Sequence, residues 1–265
     1  MEVPVKDVPI EVDIYATSAV LLDYDTGEFL YEKEADLARA PASMTKVMTS
    51  YIVFEELEAG SLTLETMVPI SSRVSRISQD RAYPAMVNLK AGSSVSVDKL
   101  LKLILLPSAS ASCVAMAEYI SGSEQAFVER MNETAKRLGI DAKYNNCHGA
   151  KPNEVTARAQ ALLTREFISR FPKILEFTSL KSVYFNGKTY YNSNRLVQDS
   201  YHYEGVDGFK TGTTVEAGFC LSATAVSKDG RRLISVIMNS RSDHWRFTDT
   251  KALLDAGFQK IADFS

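Results

Sequence analysis

Phe219-Cys-Leu-Ser-Ala-Thr-Ala-Val-Ser227, Lys228-Asp-Gly230 and Leu233-Ile-Ser-Val-Ile-Met238 form the stretch whose reading decides the fold. Two apolar runs rich in β-branched residues flank a short Asp-Gly turn, which predicts an antiparallel hairpin. Residues 205–214, just before it, read as a further extended segment. After it, Leu253, Leu254, Phe258 and Ile261 mark an amphipathic helix over about Asp249 to Ala262. A smaller hairpin is expected where Ser182-Val-Tyr-Phe185 and Thr189-Tyr-Tyr191 flank Asn186-Gly187. At the other end of the chain, Ala19-Val-Leu-Leu22, Asp25-Thr-Gly27 and Phe29-Leu-Tyr31 predict another.

Between these strand-rich ends the sequence turns helical. A segment from about Ser43 to Glu58, closed by Gly60, carries Met44, Val47, Met48, Tyr51, Ile52, Val53, Phe54 and Leu57 on nearly every face. A helix apolar all round is buried and central. Further helices are expected from Val97 to Leu106, stopped by Pro107, and from near Ser110 to Ile120. Ser121-Gly-Ser-Glu124 has capping-box spacing ahead of a helix to Leu138, and Thr156 is placed to cap one through Ser169. The order of hairpin, helices, antiparallel strands and helix predicts an α+β fold. An antiparallel sheet covered by helices would join the chain's two ends. An all-helical lobe would be inserted into it, with the sheet lobe over about 16–60 and 171–265 and the helical lobe over about 61–170.

Composition narrows the function. The 265 residues carry 30 basic and 33 acidic side chains, a formal charge of -3, and the basic residues are scattered. Such a chain has no basic excess to neutralise phosphates, so no nucleic-acid partner is expected. Cys113, Cys147 and Cys220 are odd in number and widely spaced, which fits neither a disulfide framework nor a zinc site and predicts buried side chains. No metal or cofactor is expected. No bilayer-spanning run and no signal peptide is visible. His148, His202 and His244 lack a suggestive serine context and read as surface or structural residues. Gly187-Lys188-Thr189 reads as the hairpin turn and not as a phosphate loop, since the first glycine of such a loop would fall at Ser182.

The chemistry is carried by Pro41-Ala-Ser43-Met-Thr-Lys46. Residues three apart share a helix face, so Ser43 Oγ and Lys46 Nζ can meet. A lysine on a buried helix is expensive unless it has work to do. A serine hydroxyl needs a base to attack a carbonyl, and an amine serves as one once burial or a second cation lowers its pKa. Asp207-Gly-Phe-Lys210-Thr-Gly-Thr213 supplies that second cation on an extended segment, with Gly212 on the face of Lys210 leaving room for a substrate backbone. Pro107-Ser108-Ala109-Ser110, between two helices, is the third element.

Together, Ser43-x-x-Lys46, Ser108-x-Ser110 and Lys210-Thr-Gly212 resemble the three-motif set of penicillin-binding proteins and serine β-lactamases. The segments Ala19–Gly27, Leu106-Pro-Ser108, Ala115-Met-Ala-Glu118, His148-Gly149 and Thr156-Ala-Arg158 narrow this to a likeness with low-molecular-mass D-alanyl-D-alanine carboxypeptidases over residues 16–260. The resemblance implies that Ser43 is acylated by a peptidoglycan stem peptide ending in D-Ala-D-Ala, with Lys46 as base. It implies that Ser108 relays a proton to the leaving amine with support from Lys210. The amides of Ser43 and Thr213 would form the oxyanion hole, and Thr211 and Arg246 would hold the substrate carboxylate. It also implies acylation by β-lactams and an extracytoplasmic location. The family's second motif is normally Ser-x-Asn, and Ser110 stands in place of the asparagine, with fewer donors and a shorter reach. Many members continue into a β-rich domain and an amphipathic membrane anchor, which are not found in this sequence. The alternatives are a non-catalytic or impaired wall-peptide binder, on account of Ser110, and a β-lactamase, for which no Glu-x-x-Leu-Asn segment supplies the deacylating glutamate.

Overall fold

A computed structural model describes residues 10–83 and 85–262; the ends of the expected domain, 1–9 and 263–265, lie outside the described residues. The chain opens with β1 (Ser18–Asp23) and β2 (Phe29–Lys33) and passes through a 3₁₀ turn (Ala42–Thr45) into α1 (Lys46–Glu58). There follow β3 (Met67–Pro69), α2 (Ser72–Ile77), β4 (Ser94–Ser96), α3 (Val97–Leu105), α4 (Ser110–Ser121) and α5 (Glu124–Leu138). Then come β5 (Ala142–Lys143), β6 (Glu154–Val155), α6 (Ala157–Arg170), α7 (Ile174–Thr178), β7 (Ser182–Phe185) and β8 (Lys188–Tyr191). The chain closes with β9 (Val206–Thr214), β10 (Gly218–Val226), β11 (Arg232–Ser240) and α8 (Asp243–Ala262).

The main sheet has the order β2-β1-β11-β10-β9, so strands from the two ends of the chain lie side by side. Ser18 pairs with Met238 and Asp23 with Leu233, all antiparallel. The α+β fold expected from the order of elements is the observed one. The hairpin around Lys228-Asp229-Gly230 is present, with Val226 opposite Arg232 and Gly230 at φ +88°.

Strand alternation divides the core into two layers. Ala19, Leu21, Leu221, Ala223, Leu233 and Ile237 face Phe247, Leu253 and Leu254 of α8. Val20, Leu22, Cys220, Ile234, Val236 and Met238 face the helical side, where α1 lies buried from Lys46 through Phe54. The all-round apolar character of that helix therefore means what it predicts.

Three local expectations shift. The helix after Ser121 is capped by Ser123, whose Oγ accepts from the Ala126 amide, because Gly122 at φ +76° ends α4 first. The last helix begins at Asp243, a turn and a half before its apolar pattern starts, since its first turns carry Asp243, His244 and Arg246. The helical lobe also holds α2 and the short pairs β3-β4 and β5-β6, too brief to show a period in sequence.

Candidate active site

The 3₁₀ turn, the α3–α4 connection, the loop before β6 and strand β9 converge on one buried point. Ser43 sits in the turn that feeds α1, behind Ala42 at φ +47°. A non-glycine residue in the left-handed region is costly and persists where its surroundings hold it. Here the hold comes from both sides. A Cβ on Gly149 would fall 1.9 Å from the Ala42 carbonyl oxygen, and one on Gly212 would fall 2.5 Å from the Pro41 oxygen and 3.1 Å from the Ser43 nitrogen. Both glycines therefore permit backbone to press against the turn.

Lys46 is fully buried. Its Nζ lies 2.8 Å from Ser43 Oγ, 2.5 Å from the His148 carbonyl oxygen and 3.4 Å from Ser110 Oγ. Burial pushes the Lys46 ammonium down from its ordinary value, against smaller opposing effects of Cys113 and Cys147. A neutral amine keeps two N–H donors and one lone pair. Donation to the His148 carbonyl and to Ser110 aims the lone pair at the Ser43 hydroxyl.

Lys210 is also buried, on the edge strand β9 opposite Ser222 of β10. Its Nζ donates to the Thr211 carbonyl at 3.0 Å. Burial first, then the charges of Lys46 and Arg246, holds it well below the ordinary lysine value. Ser108, at φ +73°, buries its Oγ with no hydrogen-bond partner among the described residues. Thr211 Oγ1 meets Ser193 Oγ at 2.6 Å.

Arg246 lies against β9 beside the turn. Its Nη1 donates to the Gly212 carbonyl at 3.1 Å, to Thr213 Oγ1 at 2.9 Å and to the Cys220 carbonyl at 3.3 Å, and Nη2 pairs with Asp243. The guanidinium thus pins β9 beside the turn. Its Nε is buried and without a partner among the described residues.

Sequence reasoning missed the second layer of the site. His148 is indeed structural, but its carbonyl takes the Lys46 proton donor, and its Nδ1 accepts from the Ala150 amide at 3.0 Å. Asn153 Nδ2 donates to Thr45 Oγ1 at 2.9 Å while its oxygen accepts from the amides of Asn145 and Asn146. Asn194 donates to the Gly208 carbonyl at 3.0 Å. The density of asparagine in 145–153 and 192–194 was the signal. The three cysteines are free and buried, as expected.

A serine hydroxyl beside a buried amine, a second buried amine and a hydroxyl without a partner among the described residues are the groups that acyl transfer through a serine ester would call on. The family model of D-alanyl-D-alanine carboxypeptidase, peptidase family S11, matches residues 5–242. The chain belongs to that family. The D-alanyl-D-alanine carboxypeptidase DacC of Escherichia coli is 37% identical over 248 residues, which cover 92% of this chain and 61% of that relative. The chain thus spans about three fifths of the length of this family member. Among solved structures, penicillin-binding protein 5 of Haemophilus influenzae superposes with a TM-score of 0.89 at 32% identity, covering 94% of this chain and 72% of that one. Penicillin-binding protein D2 of Listeria monocytogenes, solved in its cefotaxime-bound form, gives 0.83 at 28% identity and covers 94% and 99%. The likeness of the family member thus extends through both core layers. Among the described residues, no helix is long and apolar enough to cross a membrane.

Proposed function

We propose that this family member is a serine-type D-Ala-D-Ala carboxypeptidase, acylated on Ser43 by peptidoglycan stem peptides and by β-lactams. One observation carries the reading: a fully buried lysine whose Nζ lies 2.8 Å from the hydroxyl of a serine in a strained turn. Neutral Lys46 takes the Ser43 proton as Oγ bonds to the carbonyl carbon of the penultimate D-Ala. The oxyanion is received by the amides of Ser43 and Thr213. Ser108, whose hydroxyl has no hydrogen-bond partner among the described residues, relays the proton from the Lys46 ammonium to the departing amine of the terminal D-Ala, taking one as it gives one, with Lys210 supporting the transfer by its charge. Thr211 and Arg246 receive the substrate's terminal carboxylate, and Arg246 also holds Gly212 and Thr213 in line. Water then cleaves the ester. The sheet lobe over 16–60 and 171–265 and the helical lobe over 61–170 act as one catalytic domain, working outside the cytoplasm where peptidoglycan lies.

Release of D-Ala from an acyl-D-Ala-D-Ala peptide is the test. Turnover that vanishes in Ser43→Ala supports the reading; no release at any enzyme concentration sinks it. A second reading, a binder of wall peptides without turnover, draws on the long 3.4 Å contact from Lys46 to Ser110. Peptide binding without D-Ala release would favour it.

A further inference from the structure

Beyond the acylation point, β9 runs on into a cavity of about 650 Å³, of whose lining the proposed mechanism uses Thr213 alone. Thr213 and Thr214 form its near wall, and Asn239, Ser240 and Arg241, at the end of β11, form its far wall. The cavity is built rather than incidental. Asn239, at φ +55°, accepts from Thr17 Oγ1 at 2.9 Å and donates to the Ala217 carbonyl at 3.2 Å, tying the entry to β1 to the β9–β10 turn. Ser240 is buried and its Oγ has no hydrogen-bond partner among the described residues. Arg241 is exposed, and its guanidinium makes no ion pair or hydrogen bond among the described residues. The neighbouring acid Asp243 is already engaged by Arg195 and Arg246. Glu216, at the tip of the β9–β10 turn, does not line the cavity.

The direction of the substrate follows from the proposed function, on which this inference rests. With the terminal carboxylate at Thr211 and the scissile carbonyl at the Ser43 and Thr213 amides, the peptide lies antiparallel to β9. Its N-terminal part then follows the strand toward Thr214 and Val215. An extended chain advances about 3.3 Å per residue, so the residue before D-Ala-D-Ala reaches the cavity mouth. We propose that this cavity is the specificity site for that third residue, and that Arg241 with the Ser240 and Thr214 hydroxyls selects a side chain ending in a free carboxylate. An unpaired guanidinium beside hydroxyl donors is the chemistry that recognises such a group.

The test uses two peptides, Nα-acetyl-aminoadipyl-D-Ala-D-Ala and the same peptide with its side-chain carboxylate amidated. The unaltered protein should favour the carboxylate in kcat/KM by about fivefold, the scale of a partly exposed charged pair. Arg241→Ala should bring the ratio to about one, and Arg241→Glu should reverse it, as expected for loss or inversion of one charge. A ratio of one in the unaltered protein, or a loss in Arg241→Ala that is equal for both peptides, overturns the proposal and leaves the proposed function standing. If neither peptide loses D-Ala, the proposed function falls. The same pair is then competed against benzylpenicillin acylation, where stronger protection by the carboxylate supports the site and equal protection overturns it.

Discussion

The two faces of the main sheet are built on opposite terms. Toward α8 the layer is apolar and closed: Leu21, Leu221, Leu233, Ile237, Phe247 and Leu253 are all buried. Toward α1 and α4 an equally buried layer admits Ser43, Lys46, Ser108, Ser110 and Lys210, with Ser108 Oγ unpaired among the described residues. The first face holds the fold together by removing apolar surface from water. The second gives up part of that gain to keep two amines desolvated near a hydroxyl. Folding stability and chemistry are thus divided between the two sides of one sheet.

Removing Lys46, the proposed base, should separate them most. Lys46→Met is expected to slow benzylpenicillin acylation by about a thousandfold or more while raising stability by about 1 kcal/mol, because a buried amine gives way to an apolar side chain. Stopped-flow acylation and urea melts read the two effects; a variant that loses stability would contradict the division. In the unaltered protein, acylation should rise with pH through the lowered pKa of Lys46, since its neutral form is the base.

A pair of glycines sharpens the contrast. Gly212→Ala sets a Cβ against the fixed Pro41 carbonyl at 2.5 Å, so acylation should fall by about a hundredfold as the turn and β9 are forced apart. Gly257→Ala, in α8, sets one 2.5 Å from Leu21 Cδ2 and 2.7 Å from Leu233 Cδ1. It should cost about 1–3 kcal/mol in a urea melt and leave the acylation rate alone. Similar activity losses in both variants would break the comparison.

Acid should act on the polar side. Burial, aided by the Lys46 charge, holds the His148 imidazole down to about 3. An unfolded histidine takes up its proton below about 6.5, so stability is fully present above that pH and is lost as pH falls toward the folded value. Glu124 acts in the same direction. Burial raises its carboxyl, but Arg73, His148 and the Cys147 amide outweigh that and leave it lowered. Thermal melts should show about 2–3 kcal/mol lost between neutral pH and pH 4, with a shallower slope in His148→Gln. An unchanged slope would remove His148 from the account. The smallest effect expected is from Ser110→Asn, which should keep or raise acylation by a few-fold, because the longer amide reaches Lys46 where the hydroxyl stops at 3.4 Å. A large loss would mean that the site is built around the serine.

The apolar face and the meeting of Ser43 with Lys46 were legible in the sequence for physical reasons. Period-two runs at Phe219–Val226 and Leu233–Met238, and a helix with apolar residues on nearly every face that opens on a lysine, leave few alternatives. What stayed hidden depends on backbone strain and long-range contact. Nothing local announces that Ala42 and Ser108 take positive φ, since glycine is the usual occupant there. The role of the His148 carbonyl belongs to the backbone and leaves no trace in the side chain. Nor does anything near Arg246 announce that its Nη1 bonds to β9 and β10, both more than twenty residues away.

Intact-protein mass over time with benzylpenicillin tests the central claim most directly. A single penicilloyl adduct that maps to Ser43 and is absent in Ser43→Ala, with the melt of that variant unchanged, is the predicted result. An adduct that forms at the same rate in Ser43→Ala, or none at any time in a folded protein, would contradict the account.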